Sequence, residues 1–241
     1  MAISNLGATS KTYDGTTGAT LVGTARLDGV VGTDGVALDP LAVVTGAFRT
    51  ASAGTGKSVD VSGLVLTGDA TKLADYVLPQ VTLSADIAPK VLSFTGLRAQ
   101  DKTYDGSTFA TVSQIGTLAL SDVLAADLSA VRLVVPTTLT GSFSDINAGT
   151  GKLVTVTGLR LDGAAAGNYA LNSPLTATIS PKALSVTQLG AANKVYDGTT
   201  VATLTGSGVL SGVLSADQTY VSLDQTRTTG AFQGADVANG K

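Results

Sequence analysis

One seven-residue stretch occurs three times along the chain, and this recurrence constrains the fold more than any single residue does. Lys11-Thr12-Tyr13-Asp14-Gly15-Thr16-Thr17 returns as Lys102-Thr103-Tyr104-Asp105-Gly106-Ser107-Thr108 and as Lys194-Val195-Tyr196-Asp197-Gly198-Thr199-Thr200. The tyrosines stand 91 and 92 residues apart. A second block follows each copy: Gly46-Ala47-Phe48 to Gly54-Thr55-Gly56-Lys57, Gly141-Ser142-Phe143 to Gly149-Thr150-Gly151-Lys152, and Gly230-Ala231-Phe232 to Asn239-Gly240-Lys241. A third block, Asp75-Tyr76-Val77-Leu78 through Ile87-Ala88-Pro89-Lys90, matches Asn168-Tyr169-Ala170-Leu171 through Ile179-Ser180-Pro181-Lys182. The third copy has no such block, so the spacing predicts repeats over 1–90 and 91–182 and a C-terminally truncated one over 183–241. A period near 90 is too long for a solenoid and fits a row of small domains. Joints as short as Pro89-Lys90-Val91 and Pro181-Lys182-Ala183 are expected to limit bending between neighbours.

Within a repeat the pattern is strand after strand. Leu83, Ala85 and Ile87 alternate with Thr82, Ser84 and Asp86, and Leu175, Ala177 and Ile179 do the same with their polar neighbours. Val154, Val156, Leu159 and Leu161 slip phase at Gly158, as Val59, Val61, Leu64 and Leu66 do at Gly63, which predicts bulges there. The only helix-like window is 122–131, and its counterpart at 30–37 is interrupted by glycines. Short strands with glycine turns and no βα alternation predict an all-β fold of tandem β-sandwich repeats. A turn entering a strand at Tyr76 or Tyr169 is the pattern of a tyrosine corner in immunoglobulin-like sandwiches, the hydroxyl bonding backbone. Short strands equally suit β-grasp-like repeats, and both architectures stay open.

Composition removes whole classes of chemistry. There is no His, no Cys and no Trp, and all 18 acidic residues are Asp. Ser-His-Asp and Cys-His mechanisms, His- or Cys-ligated transition metals and disulfides are therefore excluded. A net charge of −3 argues against a nucleic-acid partner. No apolar run approaches the roughly 18 residues of a spanning helix, so membrane insertion is not expected. The N-terminus lacks the basic flank and apolar core of a signal peptide, so an exported parent protein would contain this chain as an internal fragment.

Each motif carries a functional and a plainer meaning. In Tyr-Asp-Gly, Asp14, Asp105 and Asp197 suit ligand contacts along a fibre, but better suit Asx turns in which Gly15, Gly106 and Gly198 take positive φ and the tyrosines cap a sandwich edge. Lys11, Lys102 and Lys194 belong to the same motif. Ala53-Gly54-Thr55-Gly56-Lys57-Ser58 lacks the first glycine and the following helix of a phosphate loop, and is expected to be a hairpin turn with a solvated lysine. Asp28 and Asp34 lie near glycine turns, but too few oxygens share one loop for calcium to be expected. Lys11 or Lys102, Asp75 or Asn168, and Asp14 or Asp105 supply the residue types of an isopeptide cross-link, which requires a buried trio. Tyr220 and Phe109 are the candidate aromatics for a glycan site, though neither recurs in the other copies. No acid pair marks a catalytic centre, and neither enzyme activity nor a cofactor is expected.

The ordered set of Lys-x-Tyr-Asp-Gly-[Ser/Thr]-Thr, Gly-Thr-Gly-Lys, Asn-Tyr-x-Leu and Ile-x-Pro-Lys resembles the YDG/MBG-type repeats of large bacterial surface exoproteins, filamentous-haemagglutinin-like adhesins among them. The resemblance covers essentially the whole chain. It implies an extracellular, cell-surface array of a Gram-negative bacterium that forms a stalk or biofilm fibre. Its partners would be neighbouring repeats, further copies of itself or a host or matrix glycan. Two departures stand out: the missing last block of the third copy, and Asp75 where the second copy has Asn168. The first departure leaves a strand edge open to addition from another chain.

Overall fold

The computed structural model describes residues 1–172, 174–238 and 240. Asn239 and Lys241 of the third copy's second block lie outside the described residues. The fold is all-β, with several sheets consistent with a β-sandwich. The one α-helix among the described residues, Ala70–Leu73, buries nothing and cannot serve as the packed helix of a β-grasp unit. The helix-like window at 122–131 contributes a single 3₁₀ turn, Ala125–Asp127.

The chain divides into two compact units. One comprises Met1–Arg98, Val112–Thr140 and Val156–Pro174; the other comprises Ala99–Thr111, Gly141–Thr155 and Leu175–Lys241.

In the first unit a five-stranded sheet runs in the order Lys11–Thr12, Thr82–Ala88, Gly54–Ser62, Thr45–Phe48, Gly18–Ala19. The Thr82–Ala88 strand pairs in parallel with Lys11–Thr12 and antiparallel with Gly54–Ser62. Its period-two alternation turns Ala85 and Ile87 into the core and leaves Thr82, Ser84 and Asp86 outside. The core joins Phe48, Val59, Ala85 and Ile87 to Tyr13, Leu92, Val131, Ala165 and Tyr169. Residues of the first and second sequence copies therefore share one apolar cluster.

The second unit repeats the same strand order. Lys102–Thr103 pairs in parallel with Leu175–Ser180, which pairs antiparallel with Gly149–Thr157; Thr140–Phe143 and the start of Phe109–Ser121 follow. Ala110, Phe143, Val154, Ala177 and Ile179 are buried. In the third copy, Val201–Ala202 pairs with Gly230–Ala231. Phe232, the counterpart of the buried Phe48 and Phe143, stays partly exposed.

Three local expectations are corrected. Gly158 and Gly63 do not form bulges: each, at φ +81 and +85, ends one strand so that the next joins a different partner. After Gly158, Arg160–Asp162 pairs with Arg132–Val134, and after Gly63, Leu66–Thr67 pairs with Ala37–Leu38. The bulges fall instead at the Gly-Thr-Gly-Lys blocks, where register shifts opposite Asp86 and between Gly149 and Lys152. These blocks are therefore not hairpin turns. Their lysines are not simply solvated either: Lys57 donates to Thr50 and Ser52, and Lys152 pairs with Asp145 with only 11% of its side chain exposed. The phase slip was visible in the sequence, but pairing partners decide whether a glycine marks a bulge or a break.

Candidate functional site

The recurrent Lys-x-Tyr-Asp-Gly loop is a self-closed cradle. Asp14 Oδ1 accepts from the Thr16 N–H at 2.8 Å, which is an Asx turn. Asp105 and Asp197 do the same with Ser107 and Thr199, each at 2.9 Å. Gly15, Gly106 and Gly198 take φ of +78, +76 and +76, the left-handed turn that side chains resist. Lys11, Lys102 and Lys194 reach back to the aspartates at 2.8, 2.7 and 2.8 Å and to the following carbonyls. Each ammonium also lies 5.5–5.7 Å from the ring centre of Phe48, Phe143 or Phe232. The lysine contact, followed by the Asx-turn hydrogen bond, pulls each of the three aspartates down to about 2.

The tyrosine of this loop leaves the cradle. Tyr13 is 7% exposed and donates its hydroxyl to Asp127 Oδ2 at 2.9 Å, on the 3₁₀ turn of the second sequence copy. Tyr169, at the predicted corner, donates to the same oxygen at 2.7 Å. The two rings meet edge to face, their centroids 5.4 Å apart. The Leu124 N–H completes the group by donating to the Tyr169 hydroxyl at 3.1 Å. Burial, then the hydrogen bond to Asp127, pushes Tyr169 up to about 12, and the same two causes raise Tyr13. Asn168 ties the loops further: its Oδ1 accepts from the Ala53 N–H at 2.9 Å. Leu124 lies against Gly15, where an added Cβ would come within 3.3 Å of its Cδ1.

The arrangement recurs. Tyr104 faces Asp217, on the 3₁₀ turn Ser215–Asp217 of the third copy, and the proximity of that carboxylate is the main cause that raises its phenol. Leu214 stands 3.3 Å from the would-be Cβ of Gly106, as Leu124 does from Gly15. The first copy holds the receiving half. Tyr76 donates to Asp34 at 2.7 Å and accepts from the Val31 N–H at 3.0 Å, while Lys72 lies 3.3 Å from the other Asp34 oxygen. The third copy holds the presenting half: Tyr196 is 63% exposed and nothing lies within 4 Å of the Cβ position of Gly198.

The corner tyrosines thus bond backbone as the pattern suggested, but 45 residues upstream rather than locally, and their main acceptor is a carboxylate. Asp127 and Asp217 escaped sequence reasoning, and Asp34 was weighed there only for calcium, though each follows Leu or Val by three residues at one place in its copy. The isopeptide residue types are not assembled into one trio. Lys11 and Lys102 are held by their own loops, while Asn168 engages Ala53. Asp28 pairs with Arg26 and accepts from Ser4, and Asp34 is engaged as above. Among the described residues no three acidic side chains converge on a metal position. Tyr220, 86% exposed, follows a 3₁₀ turn, whereas Phe109, 55% exposed, opens a long strand. No helix of the described residues is long and apolar enough to cross a membrane.

No curated protein and no solved structure matches this chain. A family description does: the YDG domain matches residues 1–83, 88–177 and 180–241.

Proposed function

Given that the chain belongs to the YDG domain family along nearly its whole length, we propose that it is a structural repeat array from an extracellular bacterial adhesin. In this reading it forms a stalk or biofilm fibre that holds an attachment site away from the cell. The observation that carries the reading is the tyrosine–carboxylate joint. Tyr13 bonded to Asp127, and Tyr104 facing Asp217, bring the first two Tyr-Asp-Gly loops against the copy that follows each. A repeat that spends its most recurrent tyrosine on its neighbour is suited to passing load along the chain. Its surface carries no histidine or cysteine, so mild changes of pH or redox state leave its charges alone. We propose no catalytic role and no cofactor.

Antibody labelling of intact and permeabilised cells that make the parent protein tests the location. Labelling of intact cells is the expected result, and signal confined to permeabilised cells would overturn it. A glycan-binding module is the second reading, favoured by Tyr220 at 86% exposure. Binding of the chain to immobilised matrix or host glycans, lost in Tyr220→Ala, would select that reading over a passive stalk.

A further inference from the structure

The first joint contains a strand that the second does not. Tyr169-Ala170-Leu171 lies in parallel register beside Lys90-Val91-Leu92, and the Asn172 N–H donates to the Leu92 carbonyl at 3.0 Å. This strand sets the Tyr169 ring against Tyr13 and the Leu124–Asp127 turn. Around it Leu92 and Val131 are 0% and 7% exposed, and Tyr169 itself is 6% exposed.

At the second joint the same surroundings enclose a cavity of about 290 Å³. Its wall includes Tyr104, Leu184, Leu214, Asp217 and Val221, the counterparts of Tyr13, Leu92, Leu124, Asp127 and Val131. Ala148, the counterpart of the Ala53 that donates to Asn168, lines it too. Leu184 and Val221 are each 40% exposed, and residues 181–184 belong to no strand. The turn beside the cavity nevertheless has the shape of its counterpart. Leu214 has φ −64 and ψ 147 against −63 and 143 for Leu124. The Asp217 N–H bonds the Leu214 carbonyl at 2.9 Å, the distance at which that of Asp127 bonds Leu124. A turn that holds this geometry beside an open cavity is preorganised, so little ordering of it opposes binding.

We propose that this cavity is a binding site for a tyrosine carried on an extended peptide of the Asn-Tyr-x-Leu type that closes the first joint. The peptide adds as a parallel strand along 182–184, and its leucine comes into register with Leu184 as Leu171 does with Leu92. Its phenol donates to the Asp217 carboxylate and accepts from the Leu214 N–H, as Tyr169 does with Asp127 and Leu124. The occupant is a segment of another polypeptide whose tyrosine is free to enter. A second copy of this chain as folded does not offer one, because its Tyr169 is buried and its Tyr76 is bonded to its own Asp34. This binding does not depend on where the chain works.

The test titrates the full-length ¹⁵N-labelled chain with a synthetic peptide of residues 164–172, to about 1 mM, the effective concentration that a short linker supplies. Amide shifts are expected at 182–184, Leu214 and Asp217, with those at 90–92 unmoved. The peptide with Tyr169→Phe is expected to bind at least about tenfold more weakly, having lost a hydrogen bond to a carboxylate. Peptide variants leave the fold of the chain untouched. Asp217→Asn in the chain, with circular dichroism unchanged, weakens the native peptide and leaves the Phe peptide where it was. No shifts at 1 mM, equal binding of the Tyr and Phe peptides, or p-cresol binding as tightly as the native peptide would each overturn the proposal, the last because a bare phenol makes no use of a strand edge. Self-association of the chain through the same amides would overturn it in favour of a second copy.

Discussion

At the scale of single residues, the chain's chemistry is in its pairs of phenol and carboxylate and of lysine and carboxylate. The three cradle aspartates have folded values of about 2, below the ordinary 3.8. A lowered folded value favours the ionised form in the native state. The stabilisation is therefore complete above about pH 4 and is lost as pH falls through about 2. Carboxyl ¹³C titration is expected to place the midpoints of Asp14, Asp105 and Asp197 together near that lower limit. Tyr169 has the opposite sign. Its folded value is raised from 10.0 to about 12, so its stabilisation is complete below pH 10 and is lost as pH rises through 12. Replacing it by Phe leaves the Leu124 N–H without its acceptor and Asp127 with one donor fewer. Tyr169→Phe is expected to cost about 1–3 kcal/mol in urea unfolding, and a change under about 0.5 kcal/mol, the size of an inconsequential surface substitution, would count against the joint.

At the scale of elements, the same loop sits in two surroundings. Gly15 and Gly198 have nearly equal φ, +78 and +76, but only Gly15 has Leu124 against its Cβ position. Alanine at either position takes on the cost of the left-handed backbone, about 1–3 kcal/mol. Gly15→Ala must also displace Leu124, so it is expected to be the more destabilising of the two, and equal losses in thermal unfolding would mean that the leucine contact contributes nothing. The central strands depend on a few large side chains. Ile87 and Ile179, each 1% exposed, occupy equivalent positions in the two parallel–antiparallel sandwiched strands. Either one truncated to Ala is expected to lose about 2–5 kcal/mol by transfer and cavity terms, read from the denaturant midpoint.

At the scale of the whole molecule, the compact units do not follow the period of the sequence. The second copy contributes 91–98, 112–140 and 156–174 to one unit and 99–111, 141–155 and 175–182 to the other. Asp127 and Tyr169 share the core of the first unit with Tyr13 and Phe48. A whole-molecule consequence concerns pH. With no histidine, the perturbed aspartates shifted down and the perturbed tyrosines shifted up, nothing among these groups changes charge near neutrality. The melting temperature is expected to be level between about pH 5 and 9, and a step inside that window in calorimetry would disprove it.

Much of this was legible in one dimension. Period-two alternation at 82–87 and 175–180 identifies strands and their inward residues, because side chains of a strand point alternately to opposite faces. Asp-Gly after an aromatic identifies the Asx turn, because that geometry closes within three residues. The candidate joint was only half legible: Tyr13 and Tyr169 stood out by recurrence, but Asp127 lies 114 residues from the first and 42 from the second. The breaks at Gly63 and Gly158 looked like bulges for the same reason, since only pairing with distant strands distinguishes the two. The sequence by itself determined what was local: strand faces, turns and the charge inventory, all set by residues a few positions apart. Tertiary structure alone decided which carboxylate receives each tyrosine, because that choice belongs to side chains 42 to 114 residues apart, brought together only when the chain folds back on itself and buries its apolar faces.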